Sequence, residues 1–153
     1  MSEVSEETET VTVRNLEHTD LPDVVRIDAL ASGRRRPAYF ELMLMRALNF
    51  AGLQMSLVAE IDGQIVGYLI VSLYYGEYGL TEPTASVDAI GVHPEFRGRR
   101  AGHALMQQFR ANAAAIGVGI VRTEVAWDDF DLMGFFKSEG FTPAKRICLE
   151  VKS

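Results

Sequence analysis

The apolar run Ser86-Val87-Asp88-Ala89-Ile90-Gly91-Val92 passes through His93-Pro94-Glu95-Phe96-Arg97-Gly98-Arg99-Arg100 straight into Ala101-Gly102-His103-Ala104-Leu105-Met106. A strand, a basic glycine-containing turn and a helix follow one another without a break, and this arrangement constrains the fold more than any other stretch. The start of a helix leaves backbone N–H groups without intrahelical carbonyls, and the aligned peptide dipoles make that end attractive to anions. Gly98 and Gly102 let the backbone approach an anion closely, while Arg97, Arg99 and Arg100 add positive charge and planar donors for phosphate oxygens. The segment reads as a cradle for a pyrophosphate. It is not a Walker loop, which needs a Gly-Lys-Ser/Thr ending, nor the dinucleotide fingerprint, which needs three glycines early in a strand-helix-strand unit.

The flanking sequence supplies the rest of the frame. Thr10 to Leu16 reads as a strand, and Thr19-Asp20-Leu21-Pro22-Asp23 as a capped helix start with proline in the first turn, opening a helix to about Ala31. Gly33 and Pro37 break that pattern, which Tyr39 to Phe50 resumes with Phe40, Met43, Leu44, Ala47 and Leu48 on one face. Met55–Ile61 and Ile65–Tyr75 are β-rich runs joined by Asp62-Gly63-Gln64, the signature of an antiparallel hairpin. After the strand Ala85–Val92 comes a helix from about Ala101 to Ile116, ended by Gly117 and Gly119. A strand Ile120–Ala126, a short helix Asp129–Ser138 and a last strand Lys145–Val151 complete the chain. The helix after Gly102 is a crossover of the length that parallel strands require, so the sheet is mixed.

With 153 residues, 48% of them hydrophobic, the chain suits one core and one domain over residues 10–153. The net charge of −6 owes much to Glu3, Glu6, Glu7 and Glu9, without which it is −2; residues 1–9 read as a disordered acidic tail. That balance offers no broad basic face for nucleic acid. Cys148 is the only cysteine, so no intrachain disulfide can form, and it sits as a small residue in the alternating run Ile147-Cys148-Leu149-Glu150-Val151. Neither a leader nor a long apolar run is evident, so no membrane association is expected and a cytoplasmic location is. His18, His93 and His103 lack ligand spacing, and no metal is expected.

The turn from Arg97 to Gly102 resembles the acyl-CoA-binding motif of the GNAT N-acetyltransferase superfamily, Q/R-x-x-G-x-G/A after a strand and a Val-x-Pro turn. Arg97 fills the first place and Gly102 the last, with Arg100 where the middle glycine is commonest. A second segment, Asp128 to Phe141, is similar to the family's Asn-x-x-Ala-x-x-x-Tyr-x-x-x-Gly-Phe, with Asp129 in place of Asn and Phe136 in place of Tyr. The resemblance runs from about Val11 to Val151. It implies an α/β (α+β) fold of the GNAT type, a mixed, mostly antiparallel twisted sheet of six to seven strands flanked by about four helices.

The same resemblance implies acetyl-CoA as co-substrate, held by Ile90, Gly91, Val92, Arg97, Gly98, Arg99, Arg100, Ala101, Gly102, Asp129 and Phe136. It further implies direct attack of a neutral amine, from a small molecule or a peptide, on the thioester carbonyl. The backbone of Ile90 and Val92 is expected to pair with the pantetheine arm, and an N–H of one to polarise the thioester oxygen. An ammonium acceptor must lose a proton first, so a general base helps. Asp88 is the first candidate; by strand alternation it shares a face with Ile90 and Val92. Glu124 is the second, and Trp127, Tyr74 and Arg36 are expected to contact the acceptor. A hydroxyl from Tyr74, Tyr75 or Tyr78 would replace the proton donor that Phe136 lacks. His93, in a Val-His-Pro-Glu turn, has a structural reading. The other function classes are a non-catalytic acyl-CoA-binding module and a plain interaction protein with a degenerate site, and the oligomeric state, monomer or homodimer, is open.

Overall fold

The computed structural model describes residues 10–48, 54–74 and 81–153. Strands β1 (Thr12–Asn15), β2 (Leu57–Ile61), β3 (Gln64–Tyr74), β4 (Thr84–Val92) and β5 (Ile120–Thr123) form one sheet in that spatial order. The first three pairings are antiparallel and β4–β5 is parallel, as the intervening crossover helix demands. Helices α1 (Leu21–Ser32) and α2 (Pro37–Leu48) cover one face, packing Val24, Ile27, Phe40 and Leu44 on Val58, Tyr68 and Ile70. Helices α3 (Ala101–Ala115) and α4 (Phe130–Ser138) cover the other, with Leu105, Met106, Phe109 and Phe136 against Leu57, Leu69, Val71 and Val87. Among the described residues no helix is long and apolar enough to cross a membrane.

Local chemistry sets the element boundaries. Asp62 and Gly63 both take positive φ, 51° and 76°, which is what a tight hairpin with right-twisted strands needs. Pro37 opens α2 instead of breaking the chain before it, because a proline at the first helical position gives up no intrahelical hydrogen bond. The last two residues of the expected second helix, 49 and 50, lie outside the described residues, as do the N-terminal tail and Tyr75 and Tyr78.

Among the described residues the sheet has five strands rather than the six to seven expected. Residues 145–151 form no strand, although their alternating pattern is that of one, and residues 142–153 are exposed. The strand expected over Ile120–Ala126 ends at Thr123, because β4 accompanies β5 only from Thr84 to Val87. A strand pattern becomes a strand only where a neighbour offers its edge.

The edge strand β1 is tied to the helical layer by one cation. Arg14 donates from Nη1 and Nη2 to the two carboxylate oxygens of Asp20, at 2.9 and 2.8 Å, and from Nε to Glu60 on β2 at 3.0 Å. Asp20 is 3% exposed and also accepts the Glu17 N–H at 2.8 Å. Burial alone would push the Asp20 carboxyl up, but the hydrogen bonds from Arg14 and Glu17, and the Arg14 charge, hold it below the usual carboxylate range. A carboxylate so held contributes its stability fully above the ordinary aspartate range and loses it as pH falls through its own lowered value. Asp20→Ala is expected to cost on the order of 2–4 kcal/mol in urea unfolding at neutral pH. Asp20→Asn is expected to flatten the acid limb of the stability profile, and an unchanged limb would remove this pair from the account.

Candidate active site

β4 changes faces part-way along its length. Thr84, Ser86 and Asp88 point to the α2 side, while Ala85 and Val87 belong to the core beneath α3. The register then slips: Val71 pairs with Val87 and Ile70 with Ala89, so Asp88 is an extra residue, a β-bulge. Beyond it Ala89 packs on the α1/α2 side, and Ile90 and Val92 pack on the α3 side. Asp88 therefore does not share a face with Ile90 and Val92, as simple alternation predicts; the bulge puts them on opposite sides of the sheet.

β4 also parts from β5 at the same place, leaving no strand beside residues 88–92 on that edge among the described residues. His93 N–H donates to the Val66 carbonyl at 2.7 Å, and hydrogen-bonded pairs of an antiparallel ladder recur every second residue. Gly91 and Ala89 thus bond across to β3, and the N–H and C=O groups of Ile90 and Val92 are turned to the open edge.

Against that edge lies a cleft of about 950 Å³. It is lined by Ile90, Gly91, Val92, Arg97, Gly98, Arg100, Ala101, Gly102 and Asp129, all of them expected from the sequence. Arg100 caps α3 with φ 65°, the left-handed conformation that glycine adopts without penalty, so this arginine takes up the geometry of the glycine it replaces. The Arg100 side chain makes no capping hydrogen bond to the helix, whose first residues line the cleft. A Cβ on Gly102 would fall 3.0 Å from the Phe135 ring, so this glycine also lets α4 lie close to α3.

Two expected members stand elsewhere. Arg99 is not in the cleft lining; its guanidinium lies 5.0 Å from the centre of the Phe96 ring. Phe136 is 4% exposed and packs in the α3/α4 core against Phe141, while its neighbour Phe135 lines the cleft. Asp129 accepts the Leu132 N–H at 3.1 Å as the cap of α4, so its carboxylate has a structural task at the cleft wall. His103 and Glu139, which the sequence did not single out as lining residues, close the rim through a 2.9 Å contact between α3 and the end of α4.

A smaller cleft of about 460 Å³ opens on the other side of Asp88, lined by Tyr39, Met43, Tyr74, Thr84, Ser86, Val87, Asp88, Arg122 and Glu124. The Asp88 carboxylate accepts hydrogen bonds from the hydroxyls of Ser72 and Ser86. It is exposed to the cleft, not enclosed. Asp88, Glu124 and Tyr74 thus come together as the sequence suggested. Tyr39, Met43 and Arg122 join them unforeseen; only the knowledge that α2 borders the cleft at Asp88 would have found the first two.

Arg36 and Trp127 are in neither lining. Arg36 makes a two-pronged pair with the buried Asp28, at 2.7 and 3.0 Å, and lies over the rings of Tyr39 and Phe40. Its guanidinium is used inside the helical layer. Trp127 stands 85% exposed on the β5–α4 connection. His93 accepts the Glu95 N–H through Nδ1 at 3.1 Å and is buried, in keeping with a role in the turn.

The model of the acetyltransferase (GNAT) family matches residues 14–141. The chain belongs to the GNAT acetyltransferase family. An N-alpha-acetyltransferase of Sulfurisphaera tokodaii is 28% identical over 139 residues, which is 87% of this chain and 81% of that relative. Among solved structures, the aminoglycoside N-acetyltransferase AAC(6')-Iy in complex with CoA superposes with a TM-score of 0.77 at 17% identity, over 94% of this chain and 95% of that one. A ribosomal-protein-alanine N-acetyltransferase of Brucella melitensis biovar Abortus 2308 gives 0.74 at 20% identity, over 94% and 100%. These likenesses establish the fold.

In this GNAT acetyltransferase Gly91, which lines the larger cleft, is kept without a side chain by a residue of the strand beside it. A Cβ on Gly91 would fall 2.6 Å from the Tyr68 ring and 2.7 Å from its hydroxyl, and Tyr68 is 3% exposed, so the ring has nowhere to go. Burial, reinforced by the Asp28 charge, pushes the Tyr68 hydroxyl above the ordinary tyrosine range, so it stays neutral. Gly91→Ala is expected to destabilise the fold by about 1–3 kcal/mol. Thermal unfolding of Gly91→Ala in a Tyr68→Leu background checks this: the two changes together should cost less than their sum, and simple additivity would discount the contact.

Proposed function

We propose that the larger cleft holds acetyl-CoA, that a cationic primary amine enters the smaller one, and that the two meet at Asp88. The observation that carries this reading is the bulge: one residue of β4 hands the strand from the smaller cleft to the larger one and frees its edge at the same point. The residues present fit the co-substrate. Arg97, Arg100 and the start of α3 suit a pyrophosphate. The outward N–H and C=O groups of Ile90 and Val92 suit the amides of a pantetheine arm, which can lie along a free edge as a strand would. Bound there, acetyl-CoA supplies an activated acyl group that an amine can attack directly.

The remaining steps belong to the chain's own groups. Asp88, held by Ser72 and Ser86, accepts the proton that an ammonium must lose before its lone pair can react. Glu124, in the same cleft, adds a second negative charge that favours a cationic acceptor. An N–H turned outward at Ile90 or Val92 is placed to stabilise developing negative charge on an oxygen. Phe136 gives no proton, and a thiolate with an ordinary pKa near 8.5 can take one from water. The named relatives act on aminoglycosides or on protein alanine, so small-molecule and peptide amines both remain in the reading.

Incubation with acetyl-CoA and a panel of polyamines, aminoglycosides, amino acids and peptides, scored by free thiol, tests the reading. Turnover on cationic amines is expected, and binding of acetyl-CoA without turnover on any of them would overturn it. Asp88→Asn is expected to lower kcat by about a hundredfold or more while leaving CoA affinity near that of the parent. A parental rate at every pH would remove Asp88 from proton transfer. Arg97→Ala is expected to weaken CoA binding about tenfold at low ionic strength, with the gap narrowing as salt is added. Calorimetric titration measures both terms, and equal affinities at low salt would place the phosphates elsewhere.

A further inference from the structure

Arg122 shares the smaller cleft with two carboxylates, Asp88 and Glu124, and holds neither. Arg14, Arg26 and Arg36 each pair with a carboxylate of the chain. The half-buried Arg122 side chain makes no ion pair or hydrogen bond among the described residues.

The sheet explains why the opposite charges stay apart. Arg122 on β5 is the direct partner of Ser86 on β4, and Ser86 that of Ser72 on β3, so the three form one row across the sheet. Both serine hydroxyls donate to Asp88, one to each carboxylate oxygen, and so occupy the acceptors that Arg122 would otherwise take. Glu124 comes two residues after Arg122, just past the end of β5, which at the rise of a strand is about 7 Å further along. Because β4 and β5 are parallel, Asp88 and Glu124 lie beyond the row in the same direction. The cleft therefore has a cationic level and an anionic level. Arg122 is also absent from the lining of the larger cleft, so the phosphates of a co-substrate there do not account for it.

We propose that Arg122 binds a carboxylate of the acceptor itself, so that the amine delivered to Asp88 belongs to an aminocarboxylate, with ammonium and carboxylate a few bonds apart. The inference rests on the function proposed above and narrows its acceptor. A planar guanidinium matches a carboxylate through two parallel hydrogen bonds. Once Arg122 is so engaged, the ammonium meets two carboxylates that no cation of the chain opposes. Attachment at both levels also fixes the direction of the amine toward the open edge of β4. Towards a polyamine the same arginine is a repulsive element. Arg122 enters no bond change: the amine nitrogen bonds the acetyl carbon, the carbon–sulfur bond breaks, the ammonium proton goes to Asp88 and the thiolate takes one from water.

Initial rates on matched pairs test this: free amino acids against their carboxamides, and short peptides beginning with Asp or Glu against those beginning with Asn or Gln. The carboxylate member of one set is expected to lead by about tenfold or more in kcat/KM, and the set that shows it tells a free amino acid from a peptide terminus. Arg122→Ala should abolish that lead, with the loss falling on KM more than on kcat, and should unfold at the parental temperature because no partner in the chain is lost. Equal rates on both members of every pair, or a lead that survives in Arg122→Ala, would overturn the proposal. Calorimetric titration of the same compounds separates this outcome from failure of the proposed activity. Binding that needs both the carboxylate and Arg122, without turnover, supports the site and overturns the activity. Turnover confined to polyamines and aminoglycosides supports the activity and overturns the site, and absence of both binding and turnover overturns the two together.

Discussion

The extra residue at Asp88 is the constraint on which the two clefts depend. A strand with strict twofold alternation presents one set of side chains to each face along its whole length. Had β4 kept that alternation, Asp88, Ile90 and Val92 would crowd one side, and the carboxylate would sit among the groups that line the larger cleft. The bulge separates them, with the carboxylate on the α2 side and the apolar pair on the α3 side. A bulge also bends its strand and increases local twist, which is a physical reason for β4 to leave β5 at Val87. The hydroxyls of Ser72 and Ser86 answer the displaced carboxylate from the same strand and its neighbour, so the irregular residue is not left without partners.

The rest of the structure holds that irregularity in place. Tyr68 fills the volume that a side chain at Gly91 would need, fixing the distance between β3 and the open part of β4. The Arg36–Asp28 pair locks the connection between α1 and α2, and so places Tyr39 and Met43 over the smaller cleft. On the other side Phe135 against Gly102, and His103 against Glu139, set the spacing of α3 and α4. The left-handed conformation at Arg100 costs about 1–2 kcal/mol relative to the ordinary helical one. On the proposed reading the guanidinium at the cofactor's phosphates is a reason to tolerate that cost, since glycine would supply the turn without the charge.

Much of this frame was legible because it follows from local chemistry. The Asp62-Gly63 hairpin, proline in the first turn of α1 and the strand-turn-helix from Ser86 to Met106 each rest on preferences of a few adjacent residues. Asp88 was found for its acidity, but the bulge around it was not, because Ser86-Val87-Asp88-Ala89-Ile90 reads equally well as a regular strand. Only the partner strand reveals that one residue is unmatched. Phe135 and Phe136 show the same limit on a helix: two adjacent phenylalanines give no sign of which one meets the core, and the answer depends on the rotation of α4 against α3. Arg36 lies outside both clefts for a similar reason: its place after Arg34 and Arg35 gives no sign that Asp28, eight residues back, takes its guanidinium. The segment from Lys145 to Val151 has the composition of a strand and lacks only an edge.

The sheet keeps the two sets of charged groups apart. Arg97 and Arg100 stand at the turn before α3, in a cleft that Asp129, Asp131 and Glu139 also line, and Asp88 and Glu124 face the other side. On the proposed reading, an anionic co-substrate and a cationic acceptor are each drawn to their own side and kept from competing for the other. Arg122 lies among the carboxylates of the smaller cleft and reduces their charge. On that reading the preference for a cationic amine rests on Asp88 and Glu124 together, since Arg122 offsets one of the two negative charges.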